Sequence, residues 1–181
     1  MRLRGIFDPM VGAYFESTYG NSGGGEADHS MEDGLITGVI TEYRNDRVES
    51  LGRYAFYANT TLTRLTLPNV KTVGGSSISV LSKLKILELG NVTSVGNFFL
   101  DQCSALDYLI LRAETVSLNI NHFSALSSSD AFNMLVPRSL QSEYADAVYD
   151  PRGEHVKITV LALEDYTVDG TITGELDESK L

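Results

Sequence analysis

Apolar positions between Val48 and Ala113 recur with a fixed spacing. Val48, Val70 and Val92 open three successive segments, and their starts differ by 70 − 48 = 92 − 70 = 22 residues. Four further apolar columns keep this spacing: Phe56/Ile78/Leu100, Leu62/Leu84/Leu106, Leu65/Leu87/Leu109 and Leu67/Leu89/Leu111. The last two columns lie two residues apart, so each pair of leucines shares one face of a short strand. The pattern predicts repeated units with one such strand each.

The repeat length indicates the fold class. A period of roughly 20 to 29 residues with this leucine spacing is typical of a leucine-rich-repeat solenoid. Its stacked units would form a parallel β-sheet, with irregular or short-helical return limbs and leucine on the inner face. We predict a solenoid over 48–137, with copies at 48–69, 70–91, 92–114 and 115–137, the last being irregular. A glycine follows the opening of each regular copy, where the coil must turn with little room for a side chain: Gly52, Gly74 and Gly96.

The flanking sequence predicts a cap at each end of the solenoid. At the N-terminal end, residues 35–47 contain the β-rich run Leu35–Thr41, which we expect to form a cap strand. At the C-terminal end, residues 138–163 predict a capping helix with Ser139 as its N-cap, followed by a strand. Residues 164–181 form an acidic tail, and its Asp-Gly pair at 169–170 predicts a β-hairpin.

The N-terminal residues form two further segments. Residues 1–19 are a head segment whose apolar spacing favours a short helix after Pro9, and residues 20–34 read as a glycine-rich flexible linker. The head would serve homo-oligomerisation or attachment, or it would be a frayed terminus, and both interpretations fit. Asp8 and Pro9 interrupt the apolar run, so we recognise no signal peptide. No run approaches the length of a membrane span.

Composition and charge narrow the classes of partner. The chain has 181 residues, of which 43% are hydrophobic, as expected for a folded domain. Its 24 acidic and 14 basic residues give a formal charge of −10, which disfavours nucleic acid and anionic lipid. Cys103 is the single cysteine, so no intrachain disulfide can form; its place in the repeat predicts a small buried side chain.

The sequence predicts no catalytic residue, metal site or cofactor. His29, His122 and His155 each lack a second His or Cys ligand at i+2 to i+4. No phosphate-binding loop or serine nucleophile motif is present. We therefore expect a protein that is not an enzyme.

The outward positions of the repeat strands are the candidate ligand-binding residues. Alternation along the strands places six side chains on the outer sheet face: Arg64, Thr66, Ile86, Glu88, Tyr108 and Ile110. Three of the six are large and apolar, where a purely solvated face would be polar. This stripe either binds a ligand or is covered by another part of the chain, such as the C-terminal segment, or by a sister subunit.

The repeat also resembles a known family. The motif of the first copy is similar to the BspA-type leucine-rich repeats of bacterial surface proteins, and it reads Val48-x-x-Leu51-Gly52-x-x-Ala55-Phe56-x-x-x-x-x-Leu62-x-x-Leu65-x-Leu67-Pro68. The second copy departs from it, with Ser77-Ile78 where Ala-Phe is usual. The ending, from Leu135-Val-Pro137 through the acidic tail, is similar to repeat proteins of gut Firmicutes and their prophages.

The resemblance implies a function class without catalytic residues. We expect a non-enzymatic binding or structural module, phage- or prophage-encoded and virion-associated, that contacts a partner protein or a cell-surface glycan. The alternative is a secreted bacterial adhesin or host-interaction protein. The implied location is the virion, the cell surface or the extracellular space.

Overall fold

The computed structural model describes residues 41–127 and 130–166 with their side chains, and the backbone of 5–8, 13–16, 30–31, 167–168 and 171–172. The strands are β1 (Gly5–Asp8), β2 (Ala13–Glu16), β3 (Ser30–Met31), β4 (Glu42–Arg44), β5 (Ser50–Leu51), β6 (Arg64–Leu67), β7 (Thr72–Val73), β8 (Ile86–Leu89), β9 (Ser94–Val95), β10 (Tyr108–Leu111), β11 (Ala131–Val136), β12 (Lys157–Ala162), β13 (Thr167–Val168) and β14 (Thr171–Ile172). The helix α1 spans Gln141–Ala147, and single 3₁₀ turns span Ile120–Phe123, Arg138–Leu140 and Leu163–Asp165.

Two parallel sheets run along the solenoid. Among the described residues, the long sheet has six strands in the order β12-β11-β10-β8-β6-β4, and the short sheet has four in the order β3-β5-β7-β9. In the long sheet, Arg64 pairs with Ile86 and Ile86 with Tyr108, so each of these steps equals one repeat length. The next pairs are Tyr108 with Asn133 and Asn133 with Thr159. These two steps are longer, at 133 − 108 = 25 and 159 − 133 = 26 residues. The solenoid therefore continues beyond the regular repeat by lengthening its coils.

The predicted core columns are confirmed. The inward strand leucines from Leu65 to Leu111 are at most 1% exposed, and the same holds for Phe56, Ile78 and Leu100. At the C-terminal end, Tyr144 of α1 is fully buried and its hydroxyl donates to the Thr115 carbonyl at 3.2 Å. The apolar core therefore extends to α1.

The return limbs are the segments 52–63, 74–85 and 96–107, which connect the short sheet to the long sheet. Each limb holds two non-glycine residues in the left-handed backbone region, at equivalent positions of the three copies: Tyr54, Ser76 and Phe98, then Ala58, Val80 and Gln102. Such a conformation costs roughly 1–2 kcal/mol per residue. Hydrogen bonds between neighbouring limbs offset this cost, for example Phe56 N–H to the Ser77 carbonyl at 2.8 Å.

At Gly74 and Gly96, the prediction of a turn without space for a side chain is confirmed. A Cβ on Gly74 would lie 2.7 Å from the backbone carbon of Gly52, and a Cβ on Gly96 would meet the backbone of Gly74 and Gly75. Real Cβ contacts are longer than this, so the backbones of adjacent coils can approach only where this side chain is missing.

Two predictions for the N-terminal part need correction, and a third, the cap run Leu35–Thr41, lies outside the described residues except for Thr41. The predicted helix after Pro9 is wrong, because β1 and β2 pair as antiparallel strands with Ile6 opposite Phe15. The glycine-rich linker does not extend to residue 34, since Ser30 pairs with Ser50 in the short sheet. The cap run is described only from Thr41 onward, and β4 is the first strand of the long sheet. A role of the head in homo-oligomerisation stays a prediction.

Two features of the C-terminal part also differ from the prediction. Ser139 is not the N-cap of α1; it lies in a 3₁₀ turn, and Leu140 occupies the cap without a side-chain hydrogen bond. Strand β12 is the sixth strand of the long sheet and continues the solenoid. In the tail, β13 and β14 pair antiparallel, and the residues after 172 lie outside the described part.

Candidate binding surface

The outer face of the long sheet is mostly closed. Of the six predicted ligand-binding residues, only Arg64 and Ile86 are half-buried rather than buried. The other four are 0 to 6% exposed: Thr66, Glu88, Tyr108 and Ile110. The prediction of an exposed stripe is therefore wrong at these four positions, and ligand binding by the six residues stays a prediction.

The chain's own C-terminal segment covers the apolar part of this face. Residues 163–166, here called the cover segment, follow β12, and their Leu163 and Tyr166 pack on a second apolar cluster. That cluster consists of Ile86, Tyr108, Ile110, Leu135 and Leu161. The alternative in which the C-terminal segment covers the stripe is thus correct for its three apolar members.

Arg138 holds the cover segment at the edge of the sheet. Its backbone N–H donates to both carboxylate oxygens of Glu164, at 2.8 and 3.1 Å. Its guanidinium also forms an exposed ion pair with Asp165. Exposed pairs of this kind contribute at most about 1 kcal/mol, so apolar packing is the main force that holds the segment.

The polar part of the same face carries an internal ion pair. Arg112 Nε donates to Glu88 Oε1 at 2.7 Å, and the Glu88 side chain is 4% exposed. A buried carboxylate needs such a partner, because an unpaired buried charge is costly. The Glu88 carboxylate is therefore engaged in a structural ion pair within the chain.

The return limbs present the open surface. Among residues 41–127 and 130–166, the large exposed hydrophobic side chains are Tyr54 (43%), Tyr57 (37%), Phe98 (60%) and Tyr149 (70%). The first three lie on return limbs. Tyr54 and Phe98 occupy the same position of the repeat, and Ser76 occupies it in the limb between them.

Polar groups accompany these rings. The Tyr54 and Tyr57 rings meet edge to face, with centroids 5.4 Å apart and an interplanar angle of 84°. Arg53 Cζ lies 5.5 Å from the centroid of the Tyr54 ring, within the range of a cation–π contact. The aromatic surface is defined as Arg53, Tyr54, Tyr57, Ser76, Asn97 and Phe98.

Phe98 separates two open depressions on this surface. One, of about 410 Å³, is lined by Arg53, Tyr54, Gly75, Ser76, Gly96, Asn97 and Phe98. The other, of about 290 Å³, shares Gly96, Asn97 and Phe98 and extends to Val95, Asn121, His122, Ser124 and Ala125. An exposed ring with a depression on either side is a shape suited to contact with a ligand.

Sequence reasoning missed this surface. The available signal was the column Tyr54/Ser76/Phe98, two residues before the core column Phe56/Ile78/Leu100. In a strand, that spacing would have placed both columns on one face. The limbs are irregular, so an aromatic ring there could not be assigned to the inside or the outside.

Two titratable groups of the described residues have clearly shifted pKa values, and both make structural contacts. The Cys103 thiol is buried and lies 3.1 Å from the Ile78 carbonyl, and burial raises its pKa to about 12, so it is not a ready nucleophile. Asp150 accepts the backbone N–H of His155 at 2.8 Å, which lowers the pKa of Asp150 to about 2 and makes it part of a turn. No group of three or more His, Cys, Asp or Glu side chains in the described part could hold a metal ion.

The family can now be assigned. A family model of the BspA-type leucine-rich-repeat region, with six copies, matches residues 41–150. The chain belongs to the BspA-type leucine-rich-repeat family. The match begins just before β4 and extends past α1, so it covers the coils that carry both surfaces described above. No curated protein and no solved structure matches the chain.

Membership sets the class of activity at a coarse level. Leucine-rich-repeat modules are in general non-enzymatic binding modules and commonly bind proteins. A BspA-like repeat suggests a protein-binding or adhesin module. Within the described residues, no helix is long and apolar enough to cross a membrane.

Proposed function

We propose that this BspA-type leucine-rich-repeat protein is a non-enzymatic adhesin-type module that contacts its partner through the aromatic surface of the return limbs. The exposure of Tyr54 (43%) and Phe98 (60%) at equivalent positions of the repeat carries the proposal. Aromatic side chains are enriched in binding interfaces, where they supply a large contact area.

The scaffold under the aromatic surface supports this proposal. Tyr54 N–H donates to the Gly75 carbonyl, and Ser76 N–H donates to the Asn97 carbonyl at 3.0 Å. These bonds fix the backbone of adjacent limbs, so little conformational entropy is lost when a partner binds. The closed outer sheet face also favours the return limbs as the contact site, because the apolar residues of the sheet face are already buried by the cover segment.

The place of action is part of the proposal. We propose that the module acts on a cell surface or virion, which is the location that the sequence resemblance of the chain's ending implies. Mass spectrometry of purified virions from an induced source strain would detect the protein if it is virion-associated. Its presence in the medium or on cells without induction would instead indicate a secreted adhesin.

A binding experiment on intact cells tests the contact site. The full chain, labelled with a fluorophore, is incubated with bacterial and epithelial cells and measured by flow cytometry. We expect the double variant Tyr54→Ala with Phe98→Ala to bind roughly 30-fold more weakly or worse, since two interface anchors on the order of 1–2 kcal/mol each contribute about 2–4 kcal/mol together. Tyr149→Ala is the matched control, because Tyr149 is, of the aromatic residues whose exposure the structure describes, the most exposed one outside the surface. Equal binding by the double variant and the wild type would contradict the proposed site.

A further inference from the structure

One position in the aromatic column lacks a ring. Tyr54 and Phe98 flank Ser76 in successive return limbs, and all three have left-handed φ values, between 53° and 61°. The small side chain of Ser76 leaves a gap between the two aromatic walls. The depression of about 410 Å³ is this gap.

The repeat geometry sets the width of the gap. Adjacent coils are separated by about 4.8 Å, so the backbones at Tyr54 and Phe98 are two steps, or roughly 9.6 Å, apart. A ring in van der Waals contact with a wall on each side needs about 3.5–4.0 Å per contact, or roughly 7–8 Å in total. The backbone spacing is therefore wide enough for one ring between the two side chains.

The floor of the gap is bare backbone. Gly75 and Gly96 line it; the next coil excludes a Cβ at Gly96, and a Cβ at Gly75 would require the next coil to shift by a few tenths of an ångström. A Cβ on Gly75 would lie 3.3 Å from the Asn97 carbonyl oxygen, and one on Gly96 would lie 2.7 Å from Gly75 Cα. The packing of the coils thus keeps the floor flat and the gap open.

The rim of the gap is polar. The lining includes the polar residues Ser76, Asn97 and Arg53, whose side-chain types carry hydrogen-bond donors and acceptors. The guest that suits apolar walls and a polar rim has C–H groups on its two faces and hydroxyl groups around its edge. A pyranose ring has this distribution, and its C–H groups are attracted to the negative faces of aromatic rings.

Other ring-shaped guests fit less well. An aromatic side chain of a peptide would contact the walls but present hydrocarbon to the polar rim, which leaves polar groups poorly satisfied. A nucleobase would bring a phosphate backbone to a chain with a net charge of −10. We infer that the gap between Tyr54 and Phe98 is a binding slot for one pyranose unit of a glycan, an inference that rests on the proposed function and specifies its ligand class.

Saturation-transfer NMR on the full chain tests the slot. The probes are the methyl α- and β-pyranosides of glucose, galactose, mannose, N-acetylglucosamine and N-acetylgalactosamine. We expect at least one glycoside to receive saturation from the wild-type protein and from Tyr149→Ala. The signal should fall about tenfold or more in Tyr54→Ala and in Phe98→Ala, because each variant removes one wall.

The variant Ser76→Tyr distinguishes a slot from a general aromatic patch. Aromatic residues already occupy the same left-handed position at 54 and 98, so the added ring is compatible with the backbone, and an unchanged thermal melt verifies the fold. A patch would gain contact area and bind more strongly, whereas a slot is filled and loses binding. We expect Ser76→Tyr to abolish the saturation transfer.

Three results would overturn the inference: no glycoside of the panel receives saturation, Ser76→Tyr binds as well as the wild type, or N-acetylphenylalanine amide displaces the bound glycoside and binds more tightly.

These results leave the proposed function separately testable. If the panel is silent but cell binding is lost in the double variant, the contact site stands and its ligand is not a sugar. If the double variant binds cells as well as the wild type while a glycoside binds in the slot, the aromatic surface fails as the cell-contact site and the sugar site stands.

Discussion

The outer face of the long sheet and the face formed by the return limbs belong to the same coils, yet one is closed and the other is open. On the sheet face, Ile110 is fully buried although its strand directs it away from the core. On the limb face, Phe98 is 60% exposed although it directly precedes the fully buried Phe99. The side of a strand or limb on which a residue lies does not by itself decide whether it meets solvent.

The difference follows from how the apolar groups are arranged. On the sheet face, Tyr108, Ile110 and Leu135 lie on adjacent strands, and together with Ile86 and Leu161 they form a contiguous cluster. Contiguous apolar area is costly in water, and the cover segment removes it. On the limbs, Ser76 and Asn97 interrupt the rings, so each ring stays a separate exposed group. The closed face stabilises the fold, and the open face is available for binding.

The largest expected effect tests whether the sheet face is closed. Ile110→Ala should lower the free energy of unfolding by about 2–5 kcal/mol, similar to Leu87→Ala on the inner face, because each leaves a cavity in a packed cluster. Urea denaturation measures both. A change in stability of less than about 0.5 kcal/mol, which is the range of surface substitutions, would show that Ile110 behaves as an exposed residue and that the sheet face is not closed.

The next effect concerns the polar part of the closed face. Arg112→Met keeps most of the side-chain length but leaves the Glu88 carboxylate without its 2.7 Å partner, so we expect a loss of about 1.5–3 kcal/mol. The combined variant Glu88→Leu with Arg112→Leu should recover most of this loss, because no buried charge is left. Thermal and urea unfolding of the three proteins give the comparison. A double variant as unstable as Arg112→Met would show that packing, and not the charge, causes the loss.

A smaller effect, of opposite sign, is expected beneath the open face. Ser77 is fully buried, and its Oγ has no hydrogen-bond partner among the residues that the structure describes. The first copy has Ala55 at this position. Ser77→Ala should therefore raise the free energy of unfolding by about 1 kcal/mol, since it removes an unsatisfied hydroxyl. A decrease in the melting temperature would contradict this.

The smallest effect is expected on the open face itself. Phe98→Ala should change stability by at most about 0.5 kcal/mol, because the ring is largely solvated and alanine already occupies a left-handed position at Ala58. Phe56→Ala, at a fully buried ring, is the matched contrast and should lose about 3–5 kcal/mol. Equal losses in the two variants would mean that Phe98 supports the fold and is not a free contact residue.

The sequence is informative where the chain repeats and much less so where it does not. The leucine columns predict the strands of the regular coils, and the inward leucines are buried as expected. The helix predicted for the N-terminal head is wrong, since loose apolar spacing fits a helix about as well as the β1–β2 strand pair. The sequence predicts that strand β12 belongs to a cap and not to the solenoid. The reason is that the step from β11 to β12 is longer than the repeat period, so β12 does not fall on the regular apolar pattern.

The amino-acid sequence by itself determined the period, the core columns and the glycines at which adjacent coils approach, because these depend on contacts between equivalent positions of neighbouring units. Only the tertiary structure decided which surfaces are free. Ile110 is buried by Leu163, which lies far along the chain beyond two further strands of the long sheet, and no local pattern encodes a contact at that separation. The exposure of Tyr54 and Phe98 likewise depends on left-handed backbone turns, which are stabilised by hydrogen bonds between limbs and not by the residue types at those positions.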